Sequence, residues 1–105
     1  MILSEITCPG DKIDIRLMHQ VKIEENGGEM AQVYKSGICD YLSDSLLEIS
    51  MPTADGRMVL FQIGAECLLV IYSKRGMYQC VASVQKRYKK DSLYLLSMEI
   101  MSEPK

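Results

Sequence analysis

The side chains in this sequence that could carry chemistry are its basic residues, which gather in two short clusters. Lys74 and Arg75 precede a glycine, and the stretch from Lys86 to Lys90 holds four cations around Tyr88. Cations with an aromatic residue among them can bind single-stranded nucleic acid through phosphate contacts and base stacking. The same pattern fits a solvated rim whose tyrosine caps the core, so both interpretations stay open.

Nucleophilic or acid–base catalysis has no candidate residues in this chain. His19 is the single histidine and is expected in a loop, so no Ser/His/Asp or Cys/His arrangement can be assembled around it. The carboxylates of Glu24, Glu25 and Glu29 form a solvated run, and Glu48 is expected on the polar face of a strand. We therefore predict a protein that is not an enzyme.

The cysteines give no sign of a metal site. They are Cys8, Cys39, Cys67 and Cys80, and no two stand at a C-x-x-C spacing. We expect them to be reduced and structural, as in cytosolic proteins. No glycine-rich phosphate-binding pattern is present either, so the chain itself is predicted to hold no metal and no cofactor.

Composition narrows the possible partners. The chain has 105 residues and a formal net charge of −2, which gives it no broad positive field for nucleic acid or an anionic membrane. No apolar run approaches the roughly 20 residues that span a bilayer. We predict a cytoplasmic protein without membrane insertion.

The elements that must position these side chains are strands. Apolar and polar residues alternate in Lys12 to Leu17 and in Leu46 to Met51, while Cys67 to Tyr72 is apolar on both faces. Turn residues divide the rest into similar segments, and Gly37 suggests a bulge or a bend at a corner of the barrel. The further expected strands are Val33 to Leu42, Met58 to Phe61, Met77 to Tyr88 and Leu93 to Ile100.

These strands predict an all-β fold, a small antiparallel split β-barrel of about six or seven strands with no helix of useful length. Glu24 to Glu29 is expected to be an exposed loop or hairpin tip, because it combines charge with Asn26-Gly27 and Gly27-Gly28. Residues 1–101 are predicted to form a single domain. Residues 102–105 should leave it as a polar tail or as the start of an interdomain linker.

An ordered set of short motifs resembles a known family. The segments are Pro9 to Ile15, Tyr34 to Ser36, Leu47 to Pro52 with Gly56-Arg57, Tyr72 to Cys80, and Arg87 to Asp91. In this order they resemble the N-terminal domain of YcgR-like flagellar brake proteins, a PilZ-like barrel. The resemblance runs from about Pro9 to Ile100 and so covers most of the chain.

The resemblance implies a non-enzymatic regulatory module of a cyclic di-GMP-responsive motility regulator. In that family a C-terminal PilZ domain binds cyclic di-GMP through R-x-x-x-R and [D/N]-x-S-x-x-G motifs, and this sequence contains neither. Cyclic di-GMP is thus expected only with an adjoining PilZ domain in cis. Flagellar motor proteins are the implied partners, and recruitment to the flagellar basal body would follow.

Loop position and charge, rather than a family motif, select the residues expected to contact the other domain or a partner. They are Arg57, Lys74, Arg75, Arg87, Lys89 and Lys90. The alternative function is a small β-barrel that binds single-stranded nucleic acid through the Lys86 to Lys90 cluster, although the net charge makes a nucleic-acid partner the less favoured one.

Overall fold

The fold is that of a computed structural model, which describes residues 2–105. Most of this part of the chain is β-structure, which confirms the predicted class. In chain order the elements are α1 (Leu3–Ile6), β1 (Lys12–Leu17), α2 (Met18–Glu25), β2 (Tyr34–Tyr41), β3 (Leu46–Ser50), β4 (Thr53–Ala54), β5 (Arg57–Met58), β6 (Glu66–Ser73), β7 (Gly76–Lys90) and β8 (Leu93–Ile100).

Six of the strands close into an antiparallel barrel. The strand order is β1-β6-β7-β8-β3-β2, and β1 also pairs with β2, which joins the two ends of the sheet. Closure removes the free edges that would otherwise attract another chain. The short β4–β5 hairpin lies outside this ring and is attached to β2 through the pair of Lys35 and Thr53.

The barrel interior is filled by the inward-facing side chains of every long strand. Ile15, Ile49 and Leu69 are fully shielded from solvent, and each stands at an alternate position of a strand, as the period of two requires. Burial of these aliphatic groups is the main stabilising contribution to the fold. The rest of the core includes Ile13, Ile38, Leu47, Ile71, Cys67, Cys80, Ala82, Val84, Leu96 and Met98.

Two strands carry a bulge. The pairing of β2 with β3 skips Cys39, and the pairing of β7 with β8 skips Gln85. A bulge or a bend was predicted at Gly37, but Gly37 pairs regularly with Lys12 and the bulge of β2 lies two residues later, at Cys39. Each bulge shifts the alternation of its strand by one residue and increases the local twist.

The expectation of no helix of useful length was wrong, because Met18–Glu25 forms α2 and includes His19. Gly27 and Gly28 end this helix instead of forming a hairpin tip: the Gly28 N–H donates to the Ile23 carbonyl at 2.8 Å and the Gly27 N–H to the Glu24 carbonyl at 3.0 Å. These two bonds are those of a Schellman cap, and the φ of +85° at Gly27 suits glycine. The helix buries no residue, so no apolar stripe marked it in the sequence.

The last residues do not leave the barrel as a polar tail. The N–H groups of Gln79 and Lys105 each donate to the other residue's carbonyl, at 2.9 and 3.0 Å, and the Met101 N–H donates to the Val81 carbonyl at 2.7 Å. Pro104 is buried. The segment 101–105 therefore continues the course of β8 along β7, and its role as the start of a linker stays a prediction.

The strand expected over Met58 to Phe61 is shorter than predicted and ends at Met58. Phe61 turns into the core instead and packs edge-on against Tyr34, with ring centroids 5.0 Å apart. Loop 59–65 then leads to β6 and is bonded to Val84 of β7 on the way.

Candidate functional site

The six predicted contact residues are all exposed, but the fold divides them between the two ends of the barrel. Lys74 and Arg75 form the two-residue turn between β6 and β7. At the other end lie the residues around the β7–β8 turn together with the β4–β5 hairpin. That second group consists of Arg57, Arg87, Lys89 and Lys90.

The basic cluster from Lys86 to Lys90 lies on a part of β7 that pairs with β8 but not with β6. Pairing with β6 ends at Ser83, whereas pairing with β8 continues to Lys90. Loop 59–65 covers only the first residue beyond this point, because the Val84 N–H donates to the Ala65 carbonyl at 3.0 Å. From Lys86 to Lys90 the strand is thus paired along one edge only.

A buried carboxylate lies behind this stretch and was missed by the sequence analysis. Glu48 was expected on a solvated strand face, but it is only 4% exposed. The Tyr88 hydroxyl donates to its Oε2 at 2.6 Å, and this is the only hydrogen bond that the Glu48 side chain receives from residues 2–105. Nothing in the spacing could have joined these residues, which stand 40 positions apart.

The surroundings of the Tyr88 hydroxyl keep it protonated. Burial and then the neighbouring Glu48 carboxylate raise the pKa of Tyr88 above its usual value. The phenol accordingly remains a hydrogen-bond donor throughout the physiological range. Cys39, close to the same carboxylate, has its pKa raised by burial first and by Glu48 second, so its thiol is not an activated nucleophile.

Ser97 adds an unsatisfied polar group to this region. Its register partners are Glu48 on β3 and Lys86 on β7, and its side chain is 2% exposed. The Ser97 Oγ has no hydrogen-bond partner among the described residues. A buried hydroxyl in this state costs free energy and contributes nothing to holding the strands together.

The aromatic side chains near the basic cluster are partly committed to internal contacts. Tyr88 is half-buried and bonded to Glu48, while the Lys89 ammonium lies 5.5 Å from the centroid of the Tyr94 ring. A cation in this position is attracted to the face of the ring. Only Tyr94, 47% exposed, offers an aromatic surface that a nucleic-acid base could stack on beside the cluster.

An open groove of about 880 Å³ runs beside the cluster. Its lining combines the Gln85 to Tyr88 segment with Leu42 and Ile63, which are 45% and 55% exposed. Apolar side chains this exposed are typical of contact surfaces when they share a concave site with charged groups.

The cysteines and the other possible metal ligands do not form a reactive or metal-binding site in the described part of the chain. All four cysteines are free, and the thiols of Cys67 and Cys80 are buried in the core. Burial raises the pKa of Cys67 to about 12 and that of Cys80 to about 11, which keeps both thiols protonated. No group of three His, Cys, Asp or Glu side chains within residues 2–105 is placed to hold a metal ion.

Fold and site together define a small closed antiparallel barrel that presents exposed cations on a strand edge and on turns. The sequence model of the family described as flagellar protein YcgR matches residues 8–100. The chain belongs to this family, as its motifs predicted. The description of this family links the domain to the flagellum.

A solved structure has the same fold. The Bacillus subtilis inhibitor of motility, MotI/DgrA, superposes with a TM-score of 0.69 at 20% sequence identity. The match covers 91% of this chain and 43% of that protein, so this chain spans less than half the length of the solved one. No curated protein matches the sequence. Within residues 2–105, no helix has the length and apolar character needed to cross a membrane.

Proposed function

We propose that this chain is the non-enzymatic module of a cyclic di-GMP-responsive flagellar motility regulator, in the position that precedes a PilZ domain. The family match over residues 8–100 is the observation that carries the proposal. The sequence contains neither dinucleotide-binding motif. Cyclic di-GMP accordingly binds an adjoining PilZ domain in cis, and this barrel acts on that domain and on flagellar motor proteins.

The barrel suits such a role because its closed sheet holds exposed turns in fixed positions. One end presents Lys74 and Arg75, and the other presents Arg57 with Lys89 and Lys90. A rigid body with two separate basic ends can contact the adjoining domain and a motor protein at once. Through this contact the protein is recruited from the cytoplasm to the flagellar basal body.

Calorimetric titration of this chain with cyclic di-GMP tests whether the dinucleotide binds the adjoining PilZ domain and not this barrel. We expect weak binding or none, since the dinucleotide-binding motifs are absent. Tight stoichiometric binding to this chain alone would contradict the proposal and would require a site of another kind.

Swimming in soft agar tests the motility role itself. In the native bacterium, deletion of the gene should change the swimming zone when cyclic di-GMP is high, and the charge reversals Lys89→Glu and Lys90→Glu should reproduce part of this effect. The pair Lys74→Glu and Arg75→Glu makes the same change of charge at the opposite end of the barrel, which also contacts a partner in this proposal, and it should likewise change the swimming zone. Unchanged swimming in the deletion strain at every cyclic di-GMP level would refute the proposal.

The nucleic-acid hypothesis is the less favoured one. Of the two tyrosines beside the basic cluster, Tyr88 is bonded to Glu48, which leaves only Tyr94 for base stacking. Its diagnostic is affinity for a single-stranded oligonucleotide that falls steeply as salt rises.

A further inference from the structure

The far half of β7 has backbone groups that point to open solvent. The turn at Asp91 and Ser92 has two residues, both with positive φ, of 49° and 68°. A two-residue turn of this kind closes on a hydrogen-bonded pair, here Lys90 and Leu93. Bonded and non-bonded pairs then alternate along an antiparallel ladder, so Tyr88 forms the next bonded pair with Leu95.

It follows that the N–H and C=O groups of Arg87 and Lys89 point away from β8. The first half of the strand supports this assignment. When bonded and non-bonded pairs are alternated from the β6–β7 turn in the same way, the backbone groups of Gln79 and Val81 point away from β6, and there they form hydrogen bonds with the 101–105 segment. Beyond Val84, no described strand or loop supplies backbone partners on the outer edge. The barrel is closed, yet β7 extends past the closure and presents a short free edge.

This edge is strongly basic. Lys86, Arg87, Lys89 and Lys90 are all exposed, and none of them forms a salt bridge with a residue in the described part of the chain. Lys35, on β2, shows the contrast, because its ammonium lies 2.7 Å from an Asp14 carboxylate oxygen. Four uncompensated cations within five residues create a local positive field on a protein of net charge −2.

The edge is also held in place. The Tyr88 hydroxyl anchors the strand to buried Glu48 on β3, and Lys89 lies over the Tyr94 ring. A partner that binds here therefore has little backbone ordering to impose on β7, which favours affinity. Ile63 lies in loop 59–65, which is bonded to Val84 on the outer side of β7, and at 55% exposed it offers an apolar contact to the same partner.

Basic residues on an edge strand often serve only to prevent aggregation. Here they coincide with an anchored edge, outward backbone groups and the exposed side chain of Ile63, a combination that protection alone does not require. We propose that the Lys86 to Lys90 edge of β7 binds an acidic extended segment of a partner protein as an added antiparallel or parallel strand. The inference goes beyond the proposed function, since it specifies the chemistry of the partner and holds whether or not that partner is a motor protein.

The test uses this chain and a short synthetic peptide that alternates glutamate and valine. Fluorescence anisotropy of the labelled peptide measures affinity, and amide shifts in NMR spectra locate the contact. We expect binding that weakens with salt, with the largest shifts at Arg87 and Lys89. The same peptide with alternate backbone nitrogens methylated keeps its charge but loses backbone donors, and it should bind at least about tenfold more weakly.

Two sets of variants separate charge from backbone pairing. Lys89→Gln removes a charge and retains the N–H, whereas Lys89→Pro also removes the outward N–H, which edge strands tolerate. The proline variant should lose more affinity than the glutamine variant. Lys12→Gln removes one charge from an exposed position on β1, away from this edge, and should leave the affinity unchanged.

Several outcomes would overturn the proposal. Equal binding of the methylated peptide would show a purely electrostatic contact, and shifts centred outside Lys86 to Lys90 would place the site elsewhere. Absence of binding at low salt would identify the cations as protection against aggregation. A single-stranded oligonucleotide that displaces the peptide and binds more tightly would assign the edge to nucleic acid. None of these results bears on the swimming phenotype, so failure here leaves the proposed function standing.

Discussion

Replacement of Tyr88 by phenylalanine removes one hydroxyl and leaves the buried Glu48 carboxylate without its donor. A hydrogen bond to a charged group contributes about 1.5–3 kcal/mol. Because Glu48 is only 4% exposed, water replaces the lost donor poorly, and the cost should lie in the upper half of that range. We expect Tyr88→Phe to lower the free energy of unfolding by about 2–3 kcal/mol and the Tm by about 10 °C.

Urea unfolding followed by far-ultraviolet circular dichroism measures this cost, since the chain has no tryptophan to serve as a fluorescent probe. A thermodynamic cycle with Glu48→Gln supplies the control. Glutamine still accepts a hydrogen bond from the phenol but carries no charge, so Tyr88→Phe should cost only about 1 kcal/mol in that background. A cost below about 0.5 kcal/mol, or an equal cost in both backgrounds, would refute the assigned role of this pair.

Two further changes follow from buried groups elsewhere in the barrel. Ser97→Ala removes a buried hydroxyl that has no partner among the described residues, and it should leave the free energy of unfolding unchanged or raise it by up to about 1 kcal/mol. Ser50→Ala removes a hydroxyl that accepts a hydrogen bond from the Gly37 N–H at 3.1 Å, and it should lower the free energy of unfolding. Equal losses of stability in urea unfolding would contradict this contrast. Burial raises the pKa of Cys67 to about 12 and that of Cys80 to about 11 from the ordinary 9.0, so stability should be complete below about pH 9 and fall as the pH rises toward those values. Thermal melts across this range should show a shallower fall in Cys67→Ala, and an identical slope would count against the linkage.

The strands were predictable because their cause is local. Alternation in Lys12–Leu17 and the apolar run around Leu69 report directly which side chains face the core. The β6–β7 turn was also predictable from the sequence, since Lys74 and Arg75 precede a glycine. The structure gives this glycine a φ of +129°, which favours glycine over other residues. These signals, together with the ordered family motifs, were enough to define the barrel and its family.

The predictions that were wrong concern residues whose surroundings are determined by contacts distant in sequence or by the absence of such contacts. Alternation places Glu48 on the face opposite Leu47 and Ile49, but it does not show that this side chain is buried and accepts a hydrogen bond from Tyr88, 40 positions away. Helix α2 buries no residue and therefore lacks periodicity, and the glycines that end it also suit a hairpin. The basic cluster was found from the sequence, whereas its free backbone edge depends on where β6 stops, which composition does not determine.

The segment 101–105 is attached to β7 by a few perpendicular hydrogen bonds, those of Gln79, Val81 and Lys105. Such bonds share a load only when the strands slide past each other, and they break one by one when one strand is lifted away. A pull that lifts Lys105 from the barrel should therefore break these hydrogen bonds in sequence, first those of Gln79 and then those of Val81. We expect such a pull to separate the segment from β7 before it reaches the strands of the barrel, where β8 pairs with β3 as well as with β7.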